Sequence, residues 1–217
     1  ETPEVYDTFM EYTTKAYASE KSPLELSFIP IHPGDILSYG GYHFEVKLLK
    51  GHTFGQCGLY EPEKKLMFVG DQLMTTIVPI VGTQETDLGM LKCYLDSLGD
   101  LKHNYKDCYF LPCHYGEIRN VEKEVNRIIL GYLEKCEIMK HVLEEAGTAL
   151  TTRDIGVRTY GRSQGPPDYA HFASCTYIWA KTFSCMEYMM GEGFVERSER
   201  DGIIYWKAPS IHFENNR

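Results

Sequence analysis

The sequence predicts an α/β body followed by a smaller unit of helices and a hairpin. Three observations carry that expectation. Strand-length apolar runs alternate with helix-length periodic segments through the first two thirds of the chain. Turns of the Gly-Gly and charged kinds join several of those strands. Beyond Gly147 the texture changes to two helical segments and an alternating pair of strands around Asp201-Gly202. The boundary is therefore placed near 147, with one unit over 1–147 and a second over 148–217.

The elements follow in order. Residues 3–19 predict a first helix, because Val5, Phe9, Met10, Tyr12 and Tyr17 keep an approximate helical period and Pro3 suits a first turn. Residues 20–35 hold three prolines and a Pro-Gly-Asp turn and are expected to be mostly irregular. "DILSYGGYHFEVKLLKG" reads as strand, Gly-Gly turn and strand. "CGLYEPEKKLMFVGD" reads as strand, charged turn and strand, and the continuous apolar run "KLMFVG" predicts a strand covered on both faces.

A helix is predicted over 87–101, with Asp87 as N-cap and Leu88, Leu91, Leu95 and Leu98 on one face. "CYFLPCHYG" predicts a buried strand running into a turn. A long helix over 120–146 has Ile128, Ile129, Leu133, Ile138, Val142 and Leu143 as its apolar side and Gly147 as its stop. After it come a short helix capped by Thr151 or Thr152 and a Gly/Pro loop through "RSQGPPDYAHF". A helix ending at Gly191 and a hairpin turning at Asp201-Gly202 complete the chain. Helix, helix and two-stranded wing make a winged-helix pattern.

Composition narrows the function classes. The formal net charge is −9, and 148–217 carries eight basic and eight acidic side chains, so the whole acidic excess lies in 1–147. An acidic body disfavours binding to phosphate backbones. No run approaches membrane-spanning length, so no membrane association is expected. The seven cysteines are odd in number and show no CxxC spacing, which predicts reduced thiols and a cytoplasmic protein. The sequence opens on Glu1 rather than Met, which predicts a fragment of a longer or processed protein.

Three short motifs carry candidate chemistry. Gly51-His52-Thr53, Gly70-Asp71 and Cys113-His114-Tyr115-Gly116 each end a strand-like run and turn through a small residue. Imidazole nitrogens and carboxylate oxygens are the donors expected around zinc and similar ions. A strand-end loop holds such a side chain rigidly and leaves it accessible. Taken singly, each motif is weak, since a lone histidine at a strand end is more often structural than a ligand. The order His, Asp, His, separated by 19 and 43 positions, carries more weight.

The run "LLKGHTFGQCGLYEPEKKLMFVGDQL", the later "FLPCHYGEI" and the long helix after it resemble the metallo-β-lactamase superfamily, especially its glyoxalase-II-like hydrolases. The resemblance covers about residues 28–145. The tail from "LTTRDIGVRTYG" to "DGIIYWKA" resembles the winged-helix appendix of the β-lactamase-like-2 branch. The resemblance implies an αββα sandwich, of which this chain would be the C-terminal half, followed by a winged helix. It implies two divalent metal ions, zinc first with iron or manganese as alternatives. His52 would be a ligand of the first metal, His114 of the second, and Asp71 the catalytic bridge between them.

The family's remaining ligands come from a His-x-His-x-Asp-His motif ahead of the Gly-His-Thr turn. Upstream of His52 the sequence has only His32 and His43, and neither belongs to such a motif. Two protein ligands at each position fall below the three usual for catalytic zinc. The chain alone is therefore expected to bind metal weakly or not at all. The partner expected is an N-terminal fragment of the same protein, or a second copy in a dimer, covering the apolar face of the half-sandwich. The alternative is a protein that has lost metal chemistry.

Other residues stay open between a chemical and a structural role. Phe54 stands where the family commonly has proline and either lines a pocket or packs. Cys113 is read as a small buried filler beside His114, with a thiol ligand as the alternative. Tyr115 and Tyr169 are candidate hydroxyl donors, His171 a candidate substrate contact or a loop residue. The aromatic and methionine-rich helix 175–190 reads first as core or dimer surface, and otherwise as a binding box.

The function implied is hydrolysis of a small-molecule ester, thioester, lactone, amide or phosphodiester by a metal-activated hydroxide. The competing readings are a non-catalytic scaffold or regulatory half-domain, and an RNA-processing nuclease of the same fold. Mixed charge in the wing sequence "ERSERDG" counts against the nuclease. An oxygen-reducing diiron protein is disfavoured, because no flavin domain or acidic ligand near the Gly-His-Thr turn is seen.

Overall fold

The computed structural model describes Glu11 and residues 29–81, 89–161 and 169–209, with side chains from 177 onward in the last stretch. The helix expected over 3–19 and most of the irregular stretch 20–35 lie outside the described residues.

Both hairpins predicted ahead of Asp71 form. Strands β1 (Ile36–Tyr39) and β2 (Tyr42–Leu48) pair antiparallel around Gly40-Gly41. Both glycines have positive φ, 59° and 84°, the combination a two-residue primed turn requires. Strands β3 (Cys57–Glu61) and β4 (Leu66–Gly70) pair antiparallel across the charged turn. Helix α1 (Met90–Asn104) then crosses over to β5 (Tyr109–Pro112), which lies parallel to β4. The sheet order is β1-β2-β3-β4-β5.

The α1 boundaries differ from the expectation. Asp87 lies outside the described residues, and Gly89 takes the cap position in the left-handed conformation. The helix runs three residues further, to Asn104. Helix α2 (Val121–Ala146) starts after Asn120, whose side chain accepts from the Lys123 N–H, and stops at left-handed Gly147. Its buried seam is Val121, Val125, Ile128, Tyr132, Cys136, Met139 and Leu143. Leu133 and Ile138, expected on the apolar side, are exposed. The seam advances by threes and fours from Val121, and these two fall beside it.

The sheet is one-sided, which corrects the reading of β4. Met67 and Val69 are fully buried against the helices, while Phe68 on the other face is 39% exposed. On that outer face Phe68 meets Phe44 edge to face, and Phe44 stacks on Tyr42. Tyr39, Tyr42 and Leu48 are exposed there as well, although Val46 is covered. The apolar run in β4 therefore marks two surfaces, an interior and a partly exposed one.

The C-terminal segment begins with β6 (Leu150–Thr151) and α3 (Thr152–Tyr160). Thr151 caps α3 in a capping box with Asp154. Helix α4 (Tyr169–Gly191) starts inside the stretch expected to be loop, since residues 169–172 are already helical; 162–168 lie outside the described residues. Strands β7 (Glu196–Arg200) and β8 (Ile203–Lys207) form the hairpin, and β6 joins it in the order β6-β8-β7. Trp206 is fully buried and its indole N–H donates to Thr152.

One buried cluster runs through the molecule, from Met67, Leu98 and Phe110 to Ile155, Met186, Met189 and Trp206. Cys136 of α2 and Cys185 of α4 lie together inside it, and that contact and burial push the Cys185 thiol up. Among the described residues no helix is long and apolar enough to cross a membrane.

The one-sided sheet separates two classes of substitution. Leu98→Ala should cost about 2–5 kcal/mol, the range for emptying a buried leucine site. Phe68→Ser should cost less and should reduce binding of a hydrophobic dye. Urea midpoints and dye fluorescence of the two variants check this; equal dye binding by Phe68→Ser and wild type would show the outer face to be covered.

Candidate metal centre

The three sequence-selected residues converge because of strand polarity. Parallel strands β4 and β5 end on the same side, with Gly70 opposite Pro112 in register. The chain leaves them as Asp71 and as Cys113-His114, tied by the Cys113 N–H donating to the Gly70 carbonyl at 3.1 Å. The loop between β2 and β3 reaches the same edge, because β3 is antiparallel to β4 and starts where β4 ends. It carries His52.

Asp71 stands between the two histidines. Its Oδ2 lies 3.7 Å from His52 Nε2, and its Oδ1 lies 3.5 Å from His114 Nε2. Oδ1 is buried and has no hydrogen-bond partner. A buried carboxylate oxygen without a donor is costly, so it calls for a proton or a cation.

The orientation of His52 follows from its other nitrogen. Nδ1 lies 2.8 Å from the carbonyl oxygen of Ile80. A carbonyl only accepts, so Nδ1 carries the hydrogen. In the neutral imidazole Nε2 is then a lone pair facing the Asp71 oxygen. Two acceptors facing each other mark a place for a positive charge.

Close packing fixes the loop. Gly51 has φ +146°, and a Cβ there would lie 2.6 Å from Tyr94 Cα and overlap the Tyr94 ring. Gly70 has φ +57°, and a Cβ there would run into the Gln56 side-chain amide. The Gln72 side chain is fully buried and joins the two turns. It accepts from the His52 N–H at 3.4 Å and donates to the Lys50 carbonyl at 3.1 Å and to Ser97 Oγ at 3.0 Å. The Tyr94 hydroxyl donates to the Gln72 carbonyl at 2.8 Å. Gln72 was not singled out in the sequence, although its place directly after Asp71 was a signal.

Other expectations need correction or have no description. Cys113 is exposed and is not a buried filler, because the turn after β5 leaves the sheet. Phe54 is half exposed, with Lys50 Nζ 4.8 Å from its ring centroid, so it does not pack into the core. Tyr115 is exposed in the left-handed conformation, and its carbonyl accepts from Thr75 Oγ. The side chains of Tyr169 and His171 lie outside the described residues. His32 faces Asp35 and His43 bonds to Ser38, both away from the centre. Among the described residues no group of three or more His, Cys, Asp or Glu side chains is arranged to hold a metal ion.

Gly51→Ala should destabilise the chain by about 1–3 kcal/mol from overpacking alone, with backbone strain in addition. A denaturant midpoint measures it; an unchanged midpoint would mean that the loop moves freely away from Tyr94.

No family model matches the sequence. A metallo-β-lactamase family protein from Thermus thermophilus superposes with a TM-score of 0.70 at 20% identity, over 96% of this chain and 66% of that one. A β-lactamase domain protein from Burkholderia ambifaria gives 0.78 at 18% identity, over 96% of this chain and 58% of that one. In sequence, the hydroxyacylglutathione hydrolase GloC of Haemophilus influenzae is 50% identical over 40 residues, 18% of this chain and 19% of that protein. The chain thus spans less than two thirds of the length of each structure and less than a fifth of the curated relative. Over the part that it spans, the chain has the metallo-β-lactamase fold.

Proposed function

We propose that this chain is the metal-bridging portion of a hydrolase. The observation that carries the reading is Asp71, whose two oxygens each face the Nε2 of a different histidine while one of them is buried without a donor. His52 and Asp71 would hold one divalent cation, and Asp71 and His114 a second, with zinc the first choice and iron or manganese the alternatives. Cations held there supply Lewis acidity to water and to a substrate oxygen near neutral pH. The donor types fit that role; their number does not complete it, since a catalytic zinc takes three protein ligands. The missing donors would come from an N-terminal portion of the same protein, or from a second copy.

The roles of this chain's own residues follow from position. His52 presents a lone pair from a fixed tautomer. Asp71 supplies the negative charge that both histidines share. Gly51 and Gly70 let the backbone turn close beneath the centre. The segment after Gly147 is proposed as a winged helix, and the acidic body makes a small-molecule substrate preferable to nucleic acid. The short likeness to a hydroxyacylglutathione hydrolase puts hydroxyacylglutathione first among substrates to assay. Other thioesters, esters, lactones and phosphodiesters follow.

A second reading, a non-catalytic half-domain, is favoured by one observation: among the described residues no three-donor set exists. Metal analysis separates the two. Purified with its N-terminal portion, the protein should carry about two metal equivalents per site, and Asp71→Asn should remove most of both and abolish hydrolysis. A metal-free preparation that stays metal-free on zinc addition would sink the hydrolase reading and leave the half-domain.

A further inference from the structure

The His52 tautomer is set from a helix far away in sequence. Ile80, whose carbonyl accepts from His52 Nδ1, sits between two residues held by one hydroxyl. Tyr132 on α2 donates its O–H to the Pro79 carbonyl at 2.6 Å and accepts from the Val81 N–H at 3.1 Å. The Ile80 carbonyl and the Val81 N–H belong to one peptide unit, so that carbonyl cannot turn away without breaking the Val81 bond to Tyr132, and the Pro79 bond fixes the peptide unit before it. The Ile80 carbonyl is the one left to face His52.

Tyr132 is itself held. It is fully buried, its ring meets the Tyr94 ring edge to face at 5.9 Å, and Lys181 Nζ of α4 lies 4.8 Å from its centroid. Arg127, five positions earlier on α2, donates to the carbonyls of Met74 and Ile77 and holds the stretch just before that segment. Burial suppresses ionisation of Tyr132 and keeps the hydroxyl proton in place for Pro79.

We propose that Tyr132 is a positioning residue for His52: by clamping 79–81 through one hydroxyl it aims the Ile80 carbonyl at Nδ1 and leaves Nε2 as the free lone pair toward Asp71. This deepens the metal-centre reading and rests on it for its purpose, but the clamp is a property of the metal-free chain. A histidine that bonds through one nitrogen needs its other N–H fixed by an acceptor. Here that acceptor is a backbone carbonyl whose direction depends on a side chain 52 positions beyond it.

The test needs neither metal nor substrate. Nitrogen-labelled histidine in the intact chain is observed at alkaline pH by long-range proton–nitrogen NMR correlations, with His52→Gln assigning the signal. In the wild type His52 should be a single Nδ1–H tautomer. In Tyr132→Phe, which keeps the ring, the single tautomer should be lost and both forms should appear. Tyr160→Phe removes a buried hydroxyl that has no hydrogen-bond partner, leaves 79–81 and the His52 loop untouched, and should keep the wild-type pattern.

An unchanged tautomer in folded Tyr132→Phe overturns the proposal, as does equal mixing in Tyr160→Phe, because general loosening would then suffice. If Tyr132→Phe does not fold, the wild type decides. A single Nδ1–H tautomer with a slowly exchanging Val81 amide supports the clamp, and an Nε2–H tautomer or a fast Val81 amide overturns it. A clamp confirmed in a protein that, purified with its N-terminal portion, stays metal-free on zinc addition would remove the hydrolase reading and leave this one.

Discussion

The parallel pairing of β4 and β5 is the constraint on which the rest depends. Parallel neighbours cannot be joined by a tight turn, so the chain must cross over, and α1 is that crossover. Both strands then end on the same side, and their exits place Asp71 beside His114. The crossover helix also brings Tyr94 under Gly51 and beside Gln72, which fixes the His52 loop to the same edge. Packing α2 on α1 adds Tyr132 beneath the segment after Asp71. One strand pairing thus recruits two helices and three loops to a single edge.

Much of the fold was legible because turn chemistry is local. Gly40-Gly41 and Asp201-Gly202 have positive φ at both central positions, and their neighbours alternate, so the hairpins follow from a few residues each. Gly147 likewise ends its helix in the left-handed conformation. The errors came where a tertiary partner decides. A continuous apolar run in β4 does not say which side is covered. Leu133 and Ile138 are apolar but lie off the buried seam of their helix. Helix α4 starts at Tyr169, just past Pro166-Pro167, so the loop expectation ran four residues too far.

The candidate centre was legible to the extent that ligand chemistry is confined to few residue types. His52, Asp71 and His114 were selected on type and strand-end position, and the structure brings the three together. What supports them was not legible. Any residue can supply a carbonyl, so Ile80 has no signature. Tyr132 was not among the residues picked out on the long helix, and only the fold turns its hydroxyl toward Pro79 and Val81. Cys113 was read as a buried filler, but the turn after β5 leaves both it and His114 exposed.

The partly exposed face of the main sheet has a thermodynamic consequence. Whatever covers Phe68, Tyr42 and Leu48 binds the folded chain and has no such surface to bind in the unfolded one. By mass action, its concentration then becomes part of the folding equilibrium. The melting point of this chain would be a function of composition, rising with the amount of the covering surface present. Stability in that case belongs to the mixture, and a single number measured on the lone chain describes only its dilute limit.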